Sequence, residues 1–171
     1  MRKHDLRRRC RKLLRQLDVR PPLDVAELCR QFGAERGREI RLLAHPIPVP
    51  GPFGVWIATN TVDYILYQSE TTKSHQDHII LHELGHMLAD HASDEQDDDL
   101  LRDLYPDLSP EAVRRALRRT SYDDTHEREA ELVASIILEW AAVINYSVPP
   151  SSRTGADRHM RHALGDRQGW L

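Results

Sequence analysis

Leu6, Cys10, Leu13, Leu14 and Leu17 recur every three or four positions with arginines between them, a spacing that predicts a first amphipathic helix. "RPPLD" (20–24) breaks it. Asp24 is suited to cap a second helix, "VAELCRQFG", which Gly33 would end. "REIRLLAH" (38–45) has the content of a strand, and "PIPVPGPFG" (46–54) reads as an extended connector. "FGVWIA" and "VDYILYQ" are rich in β-branched and aromatic residues, and "TNT" between them predicts a hairpin. Ser74 would then cap a long helix from His75 to His91, followed by a polar loop, "SDEQDDD". In "LSPEAVRRALRR", Ser109 as cap and Pro110 in the first turn predict a short helix to about Arg119. "THEREAELVASIILEWAAVI" (125–144) predicts a mostly apolar final helix. Residues 147–171 turn polar and read as a flexible tail. Helices around a small sheet give an α+β class, with one domain over 1–146 whose residues 1–20 form a basic helix.

Composition narrows the picture. The 171 residues are 40% hydrophobic and 30% charged, an ordinary globular balance. No apolar run approaches the ~20 residues that span a bilayer. The basic N-terminus lacks the apolar stretch of a secretory signal, so a cytoplasmic protein is expected. Cys10 and Cys29 are too few and too far apart for a disulfide framework or a Cys-x-x-Cys metal site, and each is expected as a buried helical thiol. The net charge of −3 hides an asymmetry. Residues 1–20 carry nine Arg or Lys against Asp5 and Asp18, and residues 90–107 carry eight Asp or Glu against Arg102. A basic arm can bind nucleic acid, but the expected reading is the solvated face of an amphipathic helix. No helix-turn-helix pattern accompanies it, so direct nucleic-acid binding ranks last.

The chemistry sits in "HIILHELGHMLADH" (78–91). At about 100° per residue, His75, His78, His82 and His86 fall on one side of the helix and Leu81, Leu84, Met87 and Leu88 on the other. An apolar face for the core and an imidazole face directed elsewhere are expected. His82 and His86 lie one turn apart and can both reach one ion at ~2.0–2.1 Å. Glu83 is rotated from them, badly placed to ligate and well placed to take a proton from the attacking water. A catalytic zinc needs a third protein ligand. "THEREAEL" offers His126, Glu127, Glu129 and Glu131. Glu127 and Glu131 share a face at i, i+4 while Glu129 points away. One of the pair would bind zinc and the other would hydrogen-bond a ligand imidazole.

These two segments resemble the ImmA/IrrE family of zinc metallopeptidases, which pairs His-Glu-x-x-His with a Glu-x-x-Ala-Asn/Asp-x-Phe-Ala helix. The resemblance covers about residues 20–145 and is specific over the two helices. It implies a zincin-like fold, with a small sheet or hairpin packed on the motif helix and a C-terminal helix bearing the glutamate. It implies one zinc per chain on His82, His86 and Glu127, with Glu83 as general base. Glu131 falls where the family usually has Asn or Asp, Val133 replaces the Phe, and Glu139 stands where a Pro often ends the segment. Known members are cytoplasmic proteases that typically cleave a helix-turn-helix repressor, and some relatives are toxin components of two-gene systems.

The expected activity is therefore site-specific zinc-dependent endoproteolysis of a protein partner. Tyr122, His126 and His78 are candidates for the second oxyanion donor. A substrate is expected along an exposed sheet edge around Val55 to Ala58. Trp56 is expected in the core, His75 and His78 as solvent-facing residues, and His91 pointing away from the site. Residues 92–125 form either a lid or a loop with a packed helix. The competing reading is a zinc-containing module that regulates a partner without cutting it, and the intact Glu83 argues against it.

Overall fold

The computed structural model describes residues 3–47, 53–58, 62–91 and 123–147. Within them lie α1 (Lys3–Gln16), α2 (Val25–Arg36), β1 (Glu39–His45), β2 (Gly54–Ala58), β3 (Val62–Gln68), α3 (Lys73–Leu88) and α4 (Asp124–Ser147). This is an α+β arrangement of four helices and one three-stranded sheet. The predicted short helix before Arg119, the tail beyond 147 and Tyr122 fall outside the described residues.

The leucine stripe of α1 does what its spacing requires. Leu6, Cys10 and Leu14 are at most 1% exposed, while the arginines between them face outward. Each such leucine contributes about 1.5–3 kcal/mol by leaving water. These side chains meet Leu28 and Phe32 of α2, Leu84 and Leu88 of α3, and Val133 and Ile137 of α4, so all four helices share one core. Cys10 and Cys29 are free buried thiols, and burial pushes each up to about 12. They are inert at neutral pH.

Three helix ends use one device. Asp18, Gly37 and Asp90 all have positive φ, and the amide after each turns back to a carbonyl five residues earlier. Gly37 therefore ends α2, where Gly33 was expected to. Gly33 is buried in the helix, and a Cβ there would sit 2.6 Å from the carbonyl oxygen of Arg38. Its missing side chain serves the close approach of the chain entering β1. Helix α3 starts earlier than expected, because the Thr72 hydroxyl rather than Ser74 accepts the capping N–H, that of His75.

The hairpin is present: β2 runs antiparallel to β3, with Trp56 opposite Ile65. Strand β1 adds to the other side of β3 in parallel, giving the order β1-β3-β2. Asp63, fully buried, ties this sheet to the end of α2. It pairs with Arg36 (3.2 Å) and Arg38 (3.0 Å), and the Trp56 indole N–H donates to it (3.3 Å). Trp56 is thus a core residue, 6% exposed. Among the described residues no helix is long and apolar enough to cross a membrane.

Candidate metal centre

Helix α3 does not leave its imidazole face open. Helix α4 packs on it, and from Ile79 to Leu88 every residue except His82 is buried. Gly85 makes this possible. A Cβ on it would lie 2.6 Å from the carbonyl oxygen of Ala130 and 2.7 Å from its Cα, so the two helices cross at backbone contact. The imidazoles of His78, His82 and His86 consequently face the first two turns of α4. Asp123 caps that end of α4 by accepting the Thr125 and His126 N–H groups at 2.8 and 2.9 Å.

His82, His86 and Glu127 come together as a group that can hold a metal ion. Their facing atoms lie close: His82 Nε2 to His86 Nε2 is 3.1 Å, His82 Nε2 to Glu127 Oε2 is 3.2 Å, and His86 Nε2 to Glu127 Oε1 is 3.6 Å. Burial, with His82, His91 and His126 around it, pushes His86 down to about 3. Its ring is therefore neutral near pH 7 and has a lone pair for a cation. Glu127 is half exposed, on the wall of a cavity of about 790 Å³ whose lining includes Lys3, His82, Glu131 and Leu132.

Glu83 stands behind this group, 5% exposed. Burial, then the charge of Glu127, raise its carboxyl to about 8, against the lowering effect of a hydrogen bond from the Trp56 backbone N–H. Its Oε2 has no hydrogen-bond partner among the described residues. A buried carboxylate oxygen without a donor is costly unless a water or a cation completes it.

The Trp56 contact changes the expected role of the sheet edge. Because the Gln68 N–H donates to the Phe53 carbonyl, alternation leaves the N–H groups of Gly54, Trp56 and Ala58 on the outer side of β2. Strand β2 is an edge strand, but Val55, Trp56 and Ile57 are buried and Glu83 occupies the outward N–H of Trp56. A substrate strand could pair there only by displacing that carboxylate.

Glu131, the other acid of the i, i+4 pair, lies 3.6 Å from His82 Nδ1 and 3.0 Å from His78 Nε2. His78 is thus engaged with Glu131, and His126 stacks on the ring of His91 at 4.1 Å between centroids. His75 contacts Thr71 Oγ1 at 2.9 Å and the ring of Phe53.

His91 overturns its expectation. Continued helical periodicity would turn it away, but α3 stops at Leu88 and Asp90 adopts φ +55°. The His91 N–H then bonds back to the His86 carbonyl at 3.1 Å, and its Nδ1 lies 2.9 Å from His86 Nδ1. Glu129 lines the same cavity as His82 and Glu127, yet it is buried and its Oε2 lies 2.9 Å from His91 Nε2. The signal for this pair was the aspartate before His91, one of the few residues that tolerate a left-handed helix end.

No family model matches the chain, and no curated protein or solved structure matches it.

Proposed function

We propose that the chain is a zinc-dependent endopeptidase of zincin-like fold that cuts a protein partner in the cytoplasm. The observation that carries this reading is a buried Glu83 with an unpartnered oxygen beside a set of three metal donors. The donors fit zinc in number and type: two imidazole nitrogens and one carboxylate leave a fourth position open. One donor atom from each residue lies within 4.8 Å of the others, and the two imidazole nitrogens, 3.1 Å apart, are near the edge of about 3.3 Å that a tetrahedron with ligands at ~2.0–2.1 Å requires.

Zinc held by these residues supplies Lewis acidity, acidifying water and polarising a scissile carbonyl. Glu83 accepts the proton of the attacking water at its free oxygen and returns it to the leaving amine. A carboxylate with a pKa near neutrality is suited to both transfers. Trp56 holds the carboxylate through its backbone N–H and leaves Oε2 without a partner among the described residues. The cavity beside Glu127 is the supported route for an unfolded segment of substrate, with Lys3 and Leu132 in its lining to contact it. A helix-turn-helix repressor or an antitoxin is the partner that the resemblance to ImmA/IrrE peptidases supports.

Metal content tests the reading. Protein purified without chelator or polyhistidine tag is expected to carry about one zinc per chain by elemental mass spectrometry. His82→Ala and Glu127→Ala should each lower the zinc affinity at least tenfold. A parent protein that takes up no zinc when it is supplied would return the histidines to a purely structural role.

A further inference from the structure

The buried pair His91 and Glu129 takes no direct part in the chemistry above, although Glu129 also lines the cavity beside Glu127. We propose that Glu129 and His91 act as a positioning relay that fixes the proton of His86 on Nδ1, so that its Nε2 lone pair faces the metal position before any ion arrives. This rests on the metal-centre reading, and it concerns proton placement in the protein itself.

The argument follows from donor and acceptor identity. Glu129 Oε2 and His91 Nε2 are 2.9 Å apart, and a carboxylate only accepts, so His91 Nε2 carries a hydrogen. With the ring of His91 neutral it has one N–H, and its Nδ1 is then a bare acceptor. It lies 2.9 Å from His86 Nδ1, and two ring nitrogens at that distance share one hydrogen. That hydrogen therefore belongs to His86 Nδ1, and His86 Nε2 is left as a lone pair between His82 and Glu127. All three residues are at most 8% exposed, so water does not compete for these bonds. The bond from the His91 N–H to the His86 carbonyl, 3.1 Å, holds the two rings in register. His82 has a simpler arrangement, with Glu131 directly across from its Nδ1 at 3.6 Å. The second imidazole is needed on the His86 side because Glu129 lies on a different face of α4 from Glu127 and Glu131, and His91 spans the gap.

The rival arrangement puts the shared hydrogen on His91. His86 would then carry its own hydrogen on Nε2, which blocks the lone pair. The two are separated in metal-free, ¹⁵N-labelled full-length protein by long-range ¹H–¹⁵N correlation spectra of the imidazoles, with His86 assigned by its loss in His86→Gln. The expected result is an Nδ1–H tautomer for His86 and an Nε2–H tautomer for His91. An Nε2–H tautomer for His86 overturns the relay. Zinc competition with a chromophoric chelator gives the second readout. His91→Phe keeps the ring and removes both nitrogens, and Glu129→Met keeps the length and removes the acceptor. Each is expected to weaken zinc about 10–100-fold, with the Glu129→Met spectrum showing mixed tautomers at His86. Unchanged affinity in both folded variants also overturns the proposal. Should one variant fail to fold, the tautomer of the parent still decides. If the parent has the Nδ1–H tautomer but binds no zinc, the relay stands and the peptidase reading fails.

Discussion

Glu83→Gln is expected to make the metal-free protein more stable above neutral pH while reducing peptide hydrolysis by the zinc-loaded protein by about 10²–10⁴-fold. The stability effect follows from desolvation. The Glu83 carboxyl rises from 4.5 to about 8 on folding because it is buried and faces Glu127. An acid whose folded pKa is raised contributes stability that is fully present below 4.5 and is lost as pH climbs through about 8. Glutamine does not titrate, and its amide oxygen can still accept the Trp56 N–H. The variant and the parent should therefore be close near pH 4.5, and the variant should gain steadily up to pH 8. With about 1.4 kcal/mol per pKa unit, the gap is on the order of several kcal/mol at most. Zinc should narrow it, since a nearby dication favours the carboxylate. Urea unfolding at pH 5 and pH 8, with and without zinc, checks this. Cleavage of a peptide library followed by mass spectrometry checks the rate. A stability gap that ignores pH would mean Glu83 is hydrated, and retained cleavage would remove it as the base.

Gly85→Ala should disrupt the centre without touching a ligand. Alanine normally favours a helix over glycine by about 1 kcal/mol, so propensity alone predicts stabilisation. Here the added methyl would meet the Ala130 carbonyl oxygen, Cα and carbonyl carbon at 2.6, 2.7 and 3.0 Å. These are backbone atoms, and none can swing aside. Helix α4 must shift, at a cost of about 1–3 kcal/mol. Glu127 lies one turn before Ala130 on the same helix, so its oxygens move away from His82 and His86. The expected outcome is a lower midpoint in urea together with loss of bound zinc. A variant with parental stability and a full zinc complement would show that the helix crossing is looser than 3 Å contacts imply.

Much of the fold could be read from local pattern. The Leu6–Cys10–Leu14 stripe, the hairpin and the glutamate-bearing last helix each announce themselves within a dozen residues. His82, His86 and Glu127 were nameable because i, i+4 spacing and a resemblance pointed to them. What stayed hidden depends on contacts between distant residues. Nothing local says that β1 joins β3 in parallel, or that Asp63 meets Arg36 and Arg38. Gly33 and Gly37 look alike in the chain, and only the approach of Arg38 to one and the positive φ of the other assign their tasks. His91 was misplaced for the same reason. Its orientation depends on where α3 stops, and periodicity carries no information past the end of a helix.

The bond between Glu83 and the outward N–H of Trp56 has a bearing on how the protein behaves in crowded solution. An edge strand with open amides is a template on which another chain can add and start an aggregate. At the centre of β2 that amide is already taken by a buried carboxylate from α3. The residue proposed for proton transfer thus also covers the middle of the sheet edge, where a second chain would otherwise begin to pair.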